Sequence, residues 1–279
     1  MPERPLIDTH THVVSPDHVK YPLNPRPLSG QWYLEGPSSA DELSEAMTLA
    51  GIERAILVQG VGAYTYDNRY AADAAEATPE RFVSACCIDV EAPNAVETLT
   101  YWVEARHMAG IRLFALARQG SSWLTDDGID PIWKRAEELA AHVIITILPR
   151  QLSELEHALI RFPNTPISLD HCGFATAEAE ARSELFKLAR HPNLHLKIST
   201  HNLDDAIRTE GSARPLIHSL VQEFGADRLM WGSDFCQTHD RPYAALVALA
   251  RDAFADLQPD EQTACFTGTA RKLWPGLST

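Results

Sequence analysis

The chain has 279 residues, with 38 acidic side chains against 24 Lys and Arg, a net charge of −14, and 45% hydrophobic residues. So acidic a surface repels the phosphate backbone and anionic lipid headgroups, and no basic run relieves it, so neither nucleic acid nor a membrane surface is expected as a partner. No apolar run approaches the ~20 residues of a spanning helix, and Met1 to Ile7 lacks the apolar core of a signal peptide, so a cytoplasmic protein is expected.

At this length one α/β barrel can occupy the whole chain. Short β-branched apolar runs alternate with stretches of helical period, the pattern of βα units around a parallel sheet. The first predicted strand covers 6–9. The proline-rich stretch from Tyr21 to Pro37 behind it is too long for an ordinary βα connection and reads as a lid over that strand. A helix over 40–50 leads to a strand over 54–58, then come a strand over 82–88, a helix over 94–108 and a strand over 110–114. Next are a helix over 131–141, a strand over 143–148, a helix over 152–161 and a strand over 167–169. A helix over 183–190, a strand over 194–198, a helix over 215–224 and a strand over 229–231 complete the pattern. Eight strands interleaved with helices predict the α/β class: a single (β/α)8 TIM barrel spanning 1–279. Neither G-x-G-x-x-G nor G-x-x-x-x-G-K-[ST] occurs, which removes the main support for a nucleotide fold. Five scattered cysteines with no C-x2-C pair read as reduced thiols rather than staples or a structural zinc site.

Chemistry in such a barrel sits at the carboxyl ends of the strands. The first strand runs Asp8-Thr9-His10-Thr11-His12, and period-2 alternation puts Asp8, His10 and His12 on one face, with Asp8 placed to orient an imidazole. The sixth ends Asp170-His171-Cys172-Gly173 and the eighth Gly232-Ser233-Asp234. Two imidazoles, a third histidine and a carboxylate can hold one divalent metal, or polarise a carbonyl directly while the carboxylate activates water. Arg112 ends the fourth strand; Lys197 and Ser199 lie on the seventh, followed by His201. Arg112 and Lys197 suit a substrate carboxylate or a developing oxyanion. His107, His142, His157, His191, His195 and His218 read as hydrogen-bonded packing, and Trp32, Tyr33, Tyr64 and Tyr66 as loop packing before ligand contact.

His10-Thr11-His12, Asp170-His171-Cys172-Gly173 and Trp231-Gly232-Ser233-Asp234 together resemble the H-x-H, D-H-x-G and W-G-S-D motifs of the amidohydrolase-related TIM-barrel hydrolases, over nearly the whole chain. The loop from Tyr21-Pro22 to Arg26-Pro27, Val58-Gln59-Gly60, Tyr66-Asp67-Asn68, Gly110-Ile111-Arg112 and Lys197-Ile198-Ser199 resemble the branch of 2-pyrone-4,6-dicarboxylate lactonase and sugar-acid lactonases. The resemblance implies opening of a lactone or related ester of a small carboxylated substrate. Asp234 would take a proton from water, and His10, His12 and His171 would polarise the carbonyl. Arg112 and Lys197 would anchor a carboxylate, with Ser199, His201, Gln59 and Tyr66 as further substrate-binding residues. Single-metal relatives generally add a fifth-strand histidine, and Ile144 to Pro149 offers none; binuclear relatives use a fourth-strand lysine, absent from Gly110 to Phe114. At most one divalent metal is therefore implied, zinc ahead of others, on His10, His12 and Asp234, with a metal-free site as the alternative. Phe235-Cys236 stands where the family often has Trp-Pro, and His201-Asn202 where the pyrone lactonase is aromatic and acidic. A homodimer is also implied. The alternatives are a nonoxidative metal-dependent decarboxylase of an aromatic or unsaturated acid, and a noncatalytic binding barrel.

Overall fold

The computed structural model of the chain describes residues 6–26, 28, 30–116 and 123–277. Within them eight parallel strands stand side by side in sequence order: β1 (Leu6–Thr11), β2 (Ile52–Val58), β3 (Phe82–Cys87), β4 (Gly110–Phe114), β5 (His142–Thr146), β6 (Ile167–Leu169), β7 (Leu194–Ser199) and β8 (Leu229–Gly232). This is the expected (β/α)8 barrel, and each predicted strand is present with its ends moved by one or two residues at most. Of the segments singled out above, Met1 to Pro5, Pro27 and Ser29 lie outside the described residues. The rest of the long loop after β1 carries a turn of helix at Trp32–Glu35. Its Trp32 and Tyr33 pack with Tyr21 and Tyr64 in a small aromatic cluster.

Helices cover the outside of the ring. Ala40–Ala50 begins at a capping box, in which the Ser39 hydroxyl accepts from Glu42 N–H and the Glu42 carboxylate accepts from Ser39 N–H. It stops at Gly51, whose φ of 73° suits glycine. The segment predicted as one helix over 94–108 is helical only at Ala95–Thr100, then widens into a π turn at Tyr101–Ala105 before His107 at φ 53°. The helix predicted over 131–141 ends at Glu138, ahead of Ala140 at φ 51°.

Strand alternation sorts the barrel. Leu194, Leu196 and Ile198 of β7 join the core shared with the outer helices, which leaves His195, Lys197 and Ser199 on the inner face. The floor is apolar and closed by Trp274, which packs with Ile7, Ile144 and Met230. His142 lies against it with ring centroids 4.7 Å apart and reaches Ser168 Oγ through Nε2 at 2.6 Å. His195 is 5% exposed, and burial pushes its pKa down to about 4. Below about pH 6.5 the unfolded chain takes up a proton on this ring, while the folded chain does not until near pH 4. The ring therefore lowers stability as pH falls through that window. His195→Gln is expected to shrink the loss of unfolding free energy between pH 7.5 and pH 5 by about 1–2 kcal/mol, measured by urea unfolding at both pH values.

The join between β8 and β1 differs from the other seven. Asp234 N–H donates to His10 O at 2.8 Å, His12 N–H donates to Phe235 O, and Thr9 Oγ1 donates to Trp231 O at 2.7 Å. β1 also carries a bulge, because Asp8 pairs with Ala55 but Thr11 with Leu57, three residues against two. That extra residue breaks the alternation. Asp8 therefore does not share a face with His10 and His12, and it orients no imidazole. Its Oδ1 accepts from Ser233 N–H at 2.8 Å and from His10 N–H at 3.1 Å, and its Oδ2 from the Tyr243 hydroxyl at 2.9 Å, which fastens β1 to β8 and to the helix Tyr243–Ala253. Gly232 lies in the same join: a Cβ there would stand 2.6 Å from His10 Cβ and 2.8 Å from His10 N.

Candidate active site

Three strand ends deliver the central groups. The bulge turns His10 and His12 of β1 inward, where their rings meet edge to face at 5.0 Å. Beyond β6 the chain turns through three consecutive left-handed residues, His171, Cys172 and Gly173, with φ of 53°, 50° and 63°. Non-glycine residues adopt that conformation at a cost, and the turn brings the His171 ring to 4.8 Å from His10. Asp234, also left-handed at φ 62°, follows β8. Its Oδ1 lies 3.3 Å from His12 Nε2 and 3.6 Å from His10 Nε2.

Hydrogen-bond partners fix which nitrogen of each ring faces this centre. His12 Nδ1 is 2.8 Å from Val58 O, a group that only accepts, so Nδ1 carries the proton. Ser199 Oγ gives its one proton to Asn202 Oδ1, so it accepts from His171 Nδ1 at 2.8 Å. His10 Nδ1 faces Asp170 Oδ1 at 3.2 Å, and a carboxylate there favours the proton on Nδ1. In the neutral rings every Nε2 is then a bare lone pair. Among the described residues the Nε2 atoms of His10 and His12 and Oδ1 of Asp234 have no hydrogen-bond partner, though all are buried. Burial holds His10 well below the usual imidazole range against the pull of Asp170, and burial lowers His171 as well. For Asp234 burial works upward, but His171, His12 and His10 outweigh it and hold the carboxyl below its ordinary value. Lone pairs facing a carboxylate repel one another unless a proton or a cation lies between them. His10, His12 and Asp234 place their donor atoms within 4.8 Å of one another, and so do His10, Asp170 and His171. The donor set suits one divalent cation of zinc type.

A cavity of about 800 Å³ opens above this centre. Arg112, His171, His201 and Asp234 line it, together with Arg26, Trp32 and Phe174 from the surrounding loops. Arg112 is 5% exposed, and its Nε is engaged at 2.8 Å by Asp170 Oδ2 and at 2.9 Å by Thr146 Oγ1. His201 packs against Phe174 at the rim, 3.2 Å from Asp205. Four other residues expected beside the substrate are not on the cavity wall. Lys197 is fully buried, 3.4 Å from Asp170 Oδ1, because an inward residue in mid-strand lies below the catalytic face. Ser199 serves the His171 ring. Gln59 donates to Asp67 O at 2.8 Å and so holds the loop after β2. The Tyr66 hydroxyl accepts from Arg26 Nη1 at 2.8 Å and lines a neighbouring recess that shares Arg26 and Phe114 with the cavity. Arg26 stands in the sequence only as part of the loop after the first strand, with no substrate role expected of it, and Thr146 could have been found by counting inward along the strand from Ile144.

A sequence profile of the family described as amidohydrolase matches residues 7–276. The chain belongs to the amidohydrolase family. Within reach of this amidohydrolase is the L-fucono-1,5-lactonase of Burkholderia ambifaria, 28% identical over 284 residues, which cover 95% of this chain and 93% of that one. Among solved structures, a Burkholderia multivorans amidohydrolase with bound zinc superposes with a TM-score of 0.75 at 20% identity, covering 98% of this chain and 100% of that one. A Pseudomonas putida protein described as a 2-pyrone-4,6-dicarboxylic acid hydrolase gives a TM-score of 0.77 at 22% identity, covering 97% of each chain. Both structural likenesses attest to the same barrel.

Proposed function

We propose that this amidohydrolase opens a lactone or related ester of a small carboxylated substrate. The observation that carries the reading is the Asp234 carboxylate, buried beside His10 and His12 at the base of a cavity whose wall bears His171, Arg112 and Arg26. The lactonase relative supports the reaction class. A water beside Asp234 gives up a proton to the carboxylate as its oxygen attacks the lactone carbonyl. The tetrahedral oxyanion then collapses, the bond to the ring oxygen breaks, and that oxygen takes the proton back from Asp234, which leaves a hydroxy acid. A divalent cation on His10, His12 and Asp234, zinc ahead of others, would supply Lewis-acid polarisation of the carbonyl. Arg112 and Arg26 hold the substrate carboxylate, and Trp32 and Phe174 cover the reacting ring. The cytoplasm is the proposed compartment, supported by five buried cysteines with no disulfide among them; no helix among the described residues is long and apolar enough to cross a membrane.

The test is a panel of carboxylated lactones, neutral sugar lactones and aromatic acids, with ring opening read as acid release and decarboxylation as CO2 release, before and after chelation and with metal content measured. Ring opening on the carboxylated lactones is the expected result; CO2 release alone would replace it with the decarboxylase reading. On the same panel Arg26→Met is expected to raise KM for carboxylated lactones about 10-fold, the scale of one charge-assisted hydrogen bond, and to leave neutral lactones unchanged. Equal effects on both would remove Arg26 from the substrate carboxylate.

A further inference from the structure

Asp170 is fully buried and met by Arg112, Thr146, His10 and Lys197, and its two oxygens are used differently. Oδ2 is satisfied by hydrogen bonds from Arg112 Nε and Thr146 Oγ1, both at 2.8 Å. Oδ1 faces His10 Nδ1 at 3.2 Å and Lys197 Nζ at 3.4 Å, and neither contact is aligned as a hydrogen bond. The guanidinium of Arg112 already balances the charge of Asp170. A second buried cation is costly, since withdrawing an ammonium from water is repaid only by close partners. Yet Lys197 is fully buried, away from the cavity, with Nζ 5.3 Å from the centre of the Trp274 ring on the barrel floor. Its effect falls on the one oxygen of Asp170 that faces a central histidine.

We propose that Lys197 is a positioning residue: its ammonium, seated between Trp274 and Asp170, fixes Oδ1 of Asp170 against His10 Nδ1 and so keeps the Nε2 lone pair of His10 aimed at Asp234. Trp274, Lys197, Asp170 and His10 form a column from the closed floor of the barrel to its reacting face. With the lysine removed, Oδ1 is free to turn about the Arg112 contact, and His10 loses the group that selects its tautomer. The functional half of this proposal rests on the reading that His10 faces the substrate; the structural half does not.

The experiment labels histidine with ¹⁵N and records ring correlations on the full-length wild type and on Lys197→Met, beside kinetics and melting temperature. The wild type is expected to show His10 with its proton on Nδ1; a proton on Nε2 would overturn the proposal. In Lys197→Met the His10 ring is expected to give mixed tautomers, with kcat lowered about 10–100-fold and KM held within about twofold, the scale of losing an outer partner of a site histidine. Melting temperature should hold or rise, because an apolar side chain of similar length replaces a buried charge. A Lys197→Met protein with an unchanged His10 ring, or with wild-type kcat, would make the lysine a packing element. Lys197→Gln keeps an N–H near Oδ1 and is expected to restore the Nδ1 tautomer and part of kcat. It also decides the question if the Met variant does not fold, since a Gln variant with mixed tautomers counts against directional control by a donor at this position. Should the wild type open no lactone, the spectra still test the column, so the two readings fail separately.

Discussion

Asp234→Asn is expected to lower kcat for ring opening by about 10²–10⁴-fold, the contribution typical of a positioned general base. The substitution keeps volume and planarity but leaves no atom able to take a proton from water. The fold has no reason to suffer. Asp234 is anchored through its backbone N–H to His10 O, and an asparagine amide would offer N–H groups to the bare Nε2 of His12 or His10, 3.3 and 3.6 Å from the present carboxylate oxygen. A buried anion is also removed, so the melting temperature should stay level or rise. The measurement is kcat together with a thermal melt. A variant that melts like the wild type and turns over within tenfold of it would take the role of base away from Asp234.

Gly232→Ala is expected to cost about 1–3 kcal/mol of stability, the usual range for forcing a methyl into a packed interior, and in a chain of this size to lower the melting temperature by roughly 2–10 °C. The obstacle is backbone as well as side chain, since the new Cβ would meet His10 Cβ at 2.6 Å, N at 2.8 Å and Cα at 3.2 Å. Rotamer changes cannot relieve that. β8 must move away from β1, and Asp234, two residues on, moves with it relative to His10 and His12, so kcat falls along with stability. Gly268→Ala is the control, because the nearest atom to its added Cβ is 3.6 Å away, and it should leave both properties unchanged. A Gly232→Ala protein with wild-type stability and kcat would show that this join is looser than the distances imply.

The barrel was legible because most strands are short apolar runs, β-branched in several, such as Ile144 and Ile145 in β5, and bounded by residues that end them. His10, His12, His171 and Asp234 could be read as one group because each stands at the carboxyl end of a strand. Period-2 counting fails at Asp8, since a bulge adds one residue without leaving any mark in composition. Counting also gives the face of a residue but not its depth. Lys197 and Ser199 lie on the inner face as expected, yet one lies beneath Asp170 and the other behind His171. Asp170 shows the same limit from the other side: a lone carboxylate before His171 does not reveal that Arg112, Thr146, Lys197 and His10 converge on it from four strands.

The join between the first and last strands bears on how the protein acquires its activity. Thr9 and Trp231 are 222 residues apart in sequence, and Asp8 and Ser233 are 225 apart, so contacts of this kind carry the longest loops to be closed during folding. On a ribosome β8 emerges only after seven strands are already available to pair. His10 and His12 wait on one side of the gap, and Asp234 arrives on the other. Turnover therefore reports that the ring has shut. A substrate or cation touching both sides acts as a clasp on it, and at about 100 times its Kd such a ligand would add about 2.7 kcal/mol to the closed form.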